Sequence, residues 1–245
     1  MPGRLRRQTS AARLTLSAAG PAFDPRDGVC YNRRVIQLIG ITGNLGAGKS
    51  SVLGMLAELG AYTIDADQLT RELMVPGTSV YQQVIEVFGP AILNPDGSID
   101  RRGLGRRVFG DPQALARLES IVHPAVMERI EGLIAAAPRP VVAIEAVKLV
   151  EAGLHRRCDV LWVVIADPQI VRARLSAQGD LSQDEIDARL AAQASIAEKV
   201  KLADVVIDNS GTEEETRAQV VRAWEHILTR AQAPWTSGTR GYRDE

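Results

Sequence analysis

Past Arg34 the chain alternates short, continuous apolar runs with stretches of helical period. The runs are Val35 to Ile41, Ala61 to Ile64, Val141 to Ala146, Val160 to Ile165 and Val205 to Ile207. Their shortness and lack of polar alternation predict strands buried on both faces, the habit of a parallel sheet. Helical pattern fills the intervals, beginning with Ser51 to Leu59 and including a polar helix from Ser182 to Gln193. Such alternation predicts an α/β fold with right-handed crossovers, in which ligands gather beyond the carboxyl ends of the strands. The interval from Gln68 to Pro140 is too long for a plain crossover. Breaks at Pro76-Gly77, Gly89-Pro90 and Asn94-Pro95-Asp96-Gly97 divide it, so it is expected to form a small, mostly helical substrate-binding subdomain.

Residues 1–34 lack this rhythm. They carry seven Arg against Asp24 and Asp27, with several Ser, Thr and Ala and a Pro/Gly-containing stretch from Gly20 to Gly28. An Arg-rich, acid-poor start resembles an organellar targeting segment, but no amphipathic helix is evident. A disordered extension or a start assigned too far upstream is the plainer expectation.

One sequence joins the first strand to its helix: Gly43-Asn44-Leu45-Gly46-Ala47-Gly48-Lys49-Ser50, followed by Ser51. It fits G-x-x-x-x-G-K-[ST], in which glycines let backbone N–H groups turn inward around a phosphate. Lys49 would reach the outer phosphates and the Ser50 hydroxyl would ligate Mg²⁺. A dinucleotide fingerprint is the rival, since Gly46-Ala47-Gly48 begins G-x-G-x-x-G and Asp65 lies near the roughly 20-residue spacing of a ribose-binding acid. Ser51 stands where its third glycine should be, and Lys-Ser has no role in it. Nucleoside triphosphate binding is the reading that uses every residue.

The second strand ends in Ile64-Asp65-Ala66-Asp67. In an extended segment the period of two points both carboxylates the same way, beside the phosphate loop of the next parallel strand. Transfer of a phosphoryl group to a hydroxyl needs a carboxylate near that hydroxyl to accept its proton. One acid would serve as base and the other would hold Mg²⁺ through water; alternatively, Asp65 or Asp67 caps the helix that begins at Gln68.

Composition narrows the setting. The 245 residues are 45% hydrophobic and 24% charged with net charge −1, which suits one globular core with an insertion and gives no electrostatic reason to expect nucleic acid or a membrane. Cys30 and Cys158 are too few for a disulfide framework or a zinc site, and no apolar run approaches the roughly 20 residues of a membrane span. A reducing cytoplasm is the expected compartment. The four lysines, Lys49, Lys148, Lys199 and Lys201, stand out against 25 arginines.

From Val35 to about Leu228 the residues resemble the dephospho-coenzyme A kinases of the P-loop kinase superfamily. The resemblance is carried by Gly40-Ile41-Thr42-Gly43 running into Gly46-Ala47-Gly48-Lys49-Ser50, then Asp65-Ala66-Asp67, Asp100-Arg101 and His123-Pro124. Leu149-Val150-Glu151 and Ala203-Asp204-Val205-Val206-Ile207-Asp208-Asn209 complete the ordered set. It implies a P-loop kinase domain over 35–230, with a five-stranded parallel sheet flanked by helices, a coenzyme A-binding helical subdomain over 68–140, a lid over 168–195 and a tail over 231–245. It further implies ATP-dependent phosphorylation of the ribose 3′-hydroxyl of dephospho-coenzyme A, with Mg²⁺, by a monomer or small homo-oligomer.

Carried over by position, Asp67 is the catalytic base with Asp65 on the metal and water side, and Arg101 and His123 hold the coenzyme A moiety. Asn209 falls where adenine is positioned, and Arg172 and Arg174 are the lid cations. Each has an ordinary alternative: Asp100-Arg101 as a cap with a solvated charge, His123 as a buried anchor, Asn209-Ser210-Gly211 as a turn, and the arginines as helix-surface charges. Two departures stand out. Gln178 occupies the place of a usual lid Arg, and Val147-Lys148-Leu149 that of Pro-Leu-Leu; Lys148 either supplies the missing charge or merely ends a strand.

A regulatory GTPase would need Asn-Lys-x-Asp, which the sequence lacks. Kinases of nucleoside monophosphates, shikimate or gluconate share the loop but not the later series, and a non-catalytic nucleotide-binding homologue would not need both Asp65 and Asp67. Deleting residues 1–34 is expected to leave kinase turnover intact. A large loss in a steady-state assay would make that segment part of the enzyme.

Overall fold

The computed structural model describes residues 22–23, 30–31, 37–179, 182–191 and 195–232. The chain divides into two compact units, Met1–Arg33 and Arg34–Glu245. In the first, β1 (Ala22–Phe23) pairs antiparallel with β2 (Cys30–Tyr31), a ladder too short to leave a periodic signal in sequence. The rest of the expected N-terminal extension lies outside the described residues, as do 233–245 of the expected tail.

The second unit is built on five parallel strands: β3 (Gln37–Gly43), β4 (Tyr62–Asp65), β5 (Val141–Glu145), β6 (Val160–Ile165) and β7 (Val205–Asp208). Their order across the sheet is β4-β5-β3-β6-β7. Helix α1 (Lys49–Glu58) follows β3, and α2 (Ala66–Leu73) follows β4. Helices α3 (Ser79–Phe88), α4 (Arg101–Phe109) and α5 (Pro112–Ala135) come next. After β6 come α6 (Pro168–Gln178), α7 (Gln183–Ala191) and α8 (Ile196–Leu202), and α9 (Glu213–Gln232) closes the fold. Among the described residues no helix is long and apolar enough to cross a membrane.

The continuous apolar runs are explained by helices on both faces. Successive residues of each inner strand alternate between two cores, Ile39 and Ile41 facing one with Val141, Ala143, Val160, Trp162 and Val164. Leu38 faces the other with Val142, Ile144, Leu161 and Val163. Helices α1 and α9 cover the first face through Val52, Leu56, Val220, Trp224 and Ile227. Leu69 of α2 and Val126 and Ile130 of α5 cover the second. A third apolar cluster, from Val80, Val84 and Phe88 to Leu104 and Val108, holds α3 and α4 together against Ala114 of α5. The helical reading of this interval is met even at Pro124, which sits inside α5 without ending it.

The two strands on the β6 side start in the same way. Asp159, just before β6, accepts a hydrogen bond from Leu38 N–H at 2.7 Å, and Asp204, just before β7, accepts one from Leu161 N–H at 2.8 Å. Each carboxylate serves a backbone donor of the neighbouring strand and so helps fix register. Leu161 is only 4% exposed, so Asp204→Ala would leave its N–H buried without that acceptor. A loss of about 1–3 kcal/mol is expected, read by urea unfolding.

Candidate active site

The central strand β3 delivers the glycine loop to the carboxyl edge of the sheet, where α1 begins at Lys49. Gly48 at its cap has φ +88°, and a side-chain carbon there would fall 1.9 Å from Asn209 Nδ2. Gly46, at φ +76°, lies against Val171 and Leu175 of α6. Both positions combine a left-handed backbone with no room for a side chain, so glycine is required twice over.

Asn209 clamps this loop. Its amide nitrogen donates to the Ala47 carbonyl at 2.8 Å, and its amide oxygen accepts from Thr216 Oγ1 of α9 at 2.9 Å. Asn209 thus sits beside the expected nucleotide loop with both ends of its amide committed to the protein, as a brace. Its backbone carbonyl accepts from Arg174 Nη2 at 3.0 Å.

Behind the loop lies a residue that motif reading passed over. Glu145 ends β5 in register with Ile41 of β3 and Asp65 of β4. Its Oε1 accepts from Ser50 Oγ at 3.1 Å and lies 3.9 Å from Lys49 Nζ. The Lys49 ammonium also reaches the Asn44 carbonyl at 3.4 Å. Both ends of the Lys49–Glu145 pair are buried. Burial lowers the Lys49 pKa and raises that of Glu145, and in each case the partner's charge opposes the shift. Glu145 Oε2 and Asn44 Oδ1 are buried without a hydrogen-bond partner. The available signal was a single carboxylate closing an otherwise apolar strand.

The expected geometry of the two aspartates needs correction. β4 is not the strand next to β3, because β5 lies between them. Nor are Asp65 and Asp67 two steps along one extended segment. Asp65 ends β4 and caps α2, accepting from Gln68 N–H at 2.9 Å, while Asp67 stands in the first turn of that helix. The capping alternative is therefore met by Asp65. Even so, the charges of Asp67 and Asp65 both act on Lys49. Burial raises the Asp67 pKa, against the pull of Lys49 and of the nearby Val147 backbone.

The remaining candidates separate. Arg174 points at the loop: its Nη1 is buried with no partner and lies 3.6 Å from where a side chain on Gly48 would begin. Arg172 is paired with Asp187 of α7, both about half exposed. Arg101 opens α4, capped by Asp100, and donates to the Arg71 carbonyl at 3.1 Å. His123 is exposed on α5, so the buried-anchor alternative does not hold. Lys148 pairs with Glu119 of α5 at 2.9 Å, both side chains being more than half exposed. The side chain of Gln178 lies outside the described residues.

A parallel sheet whose central strand feeds a glycine loop into a helix, with carboxylates ending the next two strands on one side, Glu145 of β5 and Asp65 of β4, defines a P-loop kinase fold. The dephospho-CoA kinase family model matches residues 37–215. A dephospho-CoA kinase of Symbiobacterium thermophilum is 45% identical over 198 residues, covering 77% of this chain and 80% of its own. That of Geobacter metallireducens is 45% identical over 194 residues, with 78% and 96% covered. Among solved structures, TT1252 from Thermus thermophilus superposes with a TM-score of 0.68 at 32% identity over 80% of this chain and 98% of its own. The chain belongs to the dephospho-CoA kinase family.

Thr216→Val tests the brace with little change in volume. Orphaning Asn209 Oδ1 should cost about 1–3 kcal/mol of stability, and nucleoside triphosphate affinity, measured by titration calorimetry, should fall with it.

Proposed function

We propose that this protein transfers the γ-phosphoryl group of ATP to the ribose 3′-hydroxyl of dephospho-coenzyme A, the last step of coenzyme A synthesis. The observation that carries the proposal is the convergence of Lys49, Ser50, Glu145 and Asp67 at the carboxyl ends of three adjacent strands, in a chain of this family. The glycine loop, Gly43 to Ser51, receives the triphosphate on its backbone N–H groups, and Lys49 neutralises the outer phosphates. Asp67 takes the proton from the 3′-hydroxyl as its oxygen bonds to phosphorus and the bond to the ADP oxygen breaks in line. Arg174, rather than the paired Arg172, supplies the cation from the lid side, and closing of α6 and α7 excludes water. Arg101 and His123, on the helical region between β4 and β5, face the acceptor.

Mg²⁺ fits the donors present. Ser50 Oγ and the unpartnered Glu145 Oε2 are hard oxygen ligands side by side, and Asp65, whose charge acts on Glu145, would contribute through water. Among the described residues no group of three or more acidic, His or Cys side chains could hold a metal. That suits an ion which keeps waters and substrate phosphates in its shell. When bound, Mg²⁺ would neutralise charge on the phosphates. The free Cys158 thiol, pushed up to about 12 by burial, is chemically quiet and takes no part in the transfer.

Purified protein with ATP and Mg²⁺ should form coenzyme A from dephospho-coenzyme A and leave adenosine, AMP, shikimate and gluconate unphosphorylated. Asp67→Asn should lower kcat by about 10²- to 10⁴-fold with ATP binding retained, whereas Lys49→Ala should weaken both. The base must be ionised to accept a proton, and burial raises the Asp67 pKa above its ordinary 3.8. Turnover should therefore be lost as pH falls through a value above 3.8 and recover as pH rises through it; a kcat profile of the wild type locates that limb. Wild-type turnover in Asp67→Asn would remove the base assignment.

A further inference from the structure

Lys199 is a buried cation that the mechanism above does not use. It lies on α8, is only 3% exposed and is close enough to the site for its charge to act on Lys49. Its Nζ donates to the Val147 carbonyl at 2.7 Å and pairs with Glu151 Oε1 at 3.1 Å. The same carbonyl accepts from Thr42 Oγ1, at the end of β3, at 3.1 Å. Val147 is therefore gripped through its carbonyl by two side chains from different elements. Its backbone also faces the Asp67 carboxylate closely enough to favour the charged form, and the preceding residue, Ala146, donates to the Ile41 carbonyl at 3.1 Å.

A need for stability does not account for an ammonium here. Removing one from water costs several kcal/mol, and an apolar side chain of similar volume often does as well. A lysine does offer reach and a strong donor: its four-carbon stem spans the gap from α8 to the turn after β5, and its charge makes the bond to the carbonyl a tight one.

We infer that Lys199 is a positioning residue for phosphoryl transfer, which with Thr42 holds Val147 so that its backbone fixes the Asp67 carboxylate toward the acceptor hydroxyl. The inference rests on the reading of Asp67 as the acceptor's base. Lys199 touches neither substrate in this arrangement, so its loss acts on the chemical step and spares ATP binding. A misplacement of about 1 Å at a reacting group costs about a hundredfold in rate.

The test is steady-state kinetics on the full chain with ATP, Mg²⁺ and dephospho-coenzyme A. The set is wild type, Lys199→Met, Lys199→Arg, Thr42→Val, Asp67→Asn and the Asp67→Asn/Lys199→Met double variant. Lys199→Met should lower kcat about a hundredfold, with KM for ATP within about threefold of wild type. Lys199→Arg, which can still donate to the carbonyl and pair with Glu151, should recover most of the loss. Thr42→Val removes the other donor to that carbonyl, leaves Lys199 in place and should also depress kcat more than it raises KM. In the Asp67→Asn background Lys199→Met should cost nothing further, because its effect runs through that carboxylate.

An unchanged kcat in Lys199→Met overturns the inference, as does an equal loss with and without Asp67, or an arginine variant as poor as the methionine one. If Lys199→Met does not fold by circular dichroism, Thr42→Val, alone and combined with Asp67→Asn, decides: normal kcat in Thr42→Val, or an equal loss with and without Asp67, overturns it. Failure of the underlying reading has a different signature, full turnover in Asp67→Asn or no coenzyme A from the wild type, and removes both.

Discussion

Everything at the carboxyl edge of the sheet is arranged around one buried ammonium. Lys49 is 6% exposed and its closest carboxylate, Glu145, is 3% exposed. Burial pushes the lysine down and the glutamate up, and each partner opposes but does not cancel the shift. A cation in this position costs too much to be left alone, so the fold must bring a carboxylate to it. The undercompensated charges also suit the proposed ligands, since a phosphate beside Lys49 and a divalent cation beside Glu145 each add the charge that the protein alone supplies only in part.

The sheet order answers this demand. With β5 inserted between β3 and β4, Glu145 falls directly behind the loop, and the turn after it runs between the loop and the first turn of α2. Had β4 been the immediate neighbour of β3, the loop would have met Asp65 and lacked its nearest counter-charge. On the other side β7 ends at Asn209, whose amide ties Ala47 to Thr216 of α9. The loop is thus held between a charged partner on the β5 side and a neutral brace on the β7 side.

The helix pair α6 and α7 has a different relation to the loop. Val171, Leu175 and Ile186 form a small apolar cluster with Leu45, a residue of the loop itself. Only a few side chains are buried there, against the much larger core that fixes α1 and α9 to the sheet. A segment held by so little apolar area is drawn from the low-stability end of a structure, where closing motions are found. Arg174 belongs to this pair, and its Nη2 ties α6 to the backbone carbonyl of Asn209 beside the loop, leaving the buried Nη1 without a partner.

The sequence by itself determined the five strands, their parallel arrangement, the glycine loop and the helical character of the interval after β4. Each of these is a local property: apolar runs, helical period, left-handed glycines and a capping Asp announce themselves within a few residues. Tertiary structure alone decided which strand lies beside which. That placement made Glu145 the partner of Lys49, tied the Asn209 side chain to Ala47 and Thr216, sent Lys148 to Glu119 and buried Lys199 against Val147. These assignments are set by contacts between residues dozens of positions apart, and a pattern with a period of two or 3.6 carries no record of them.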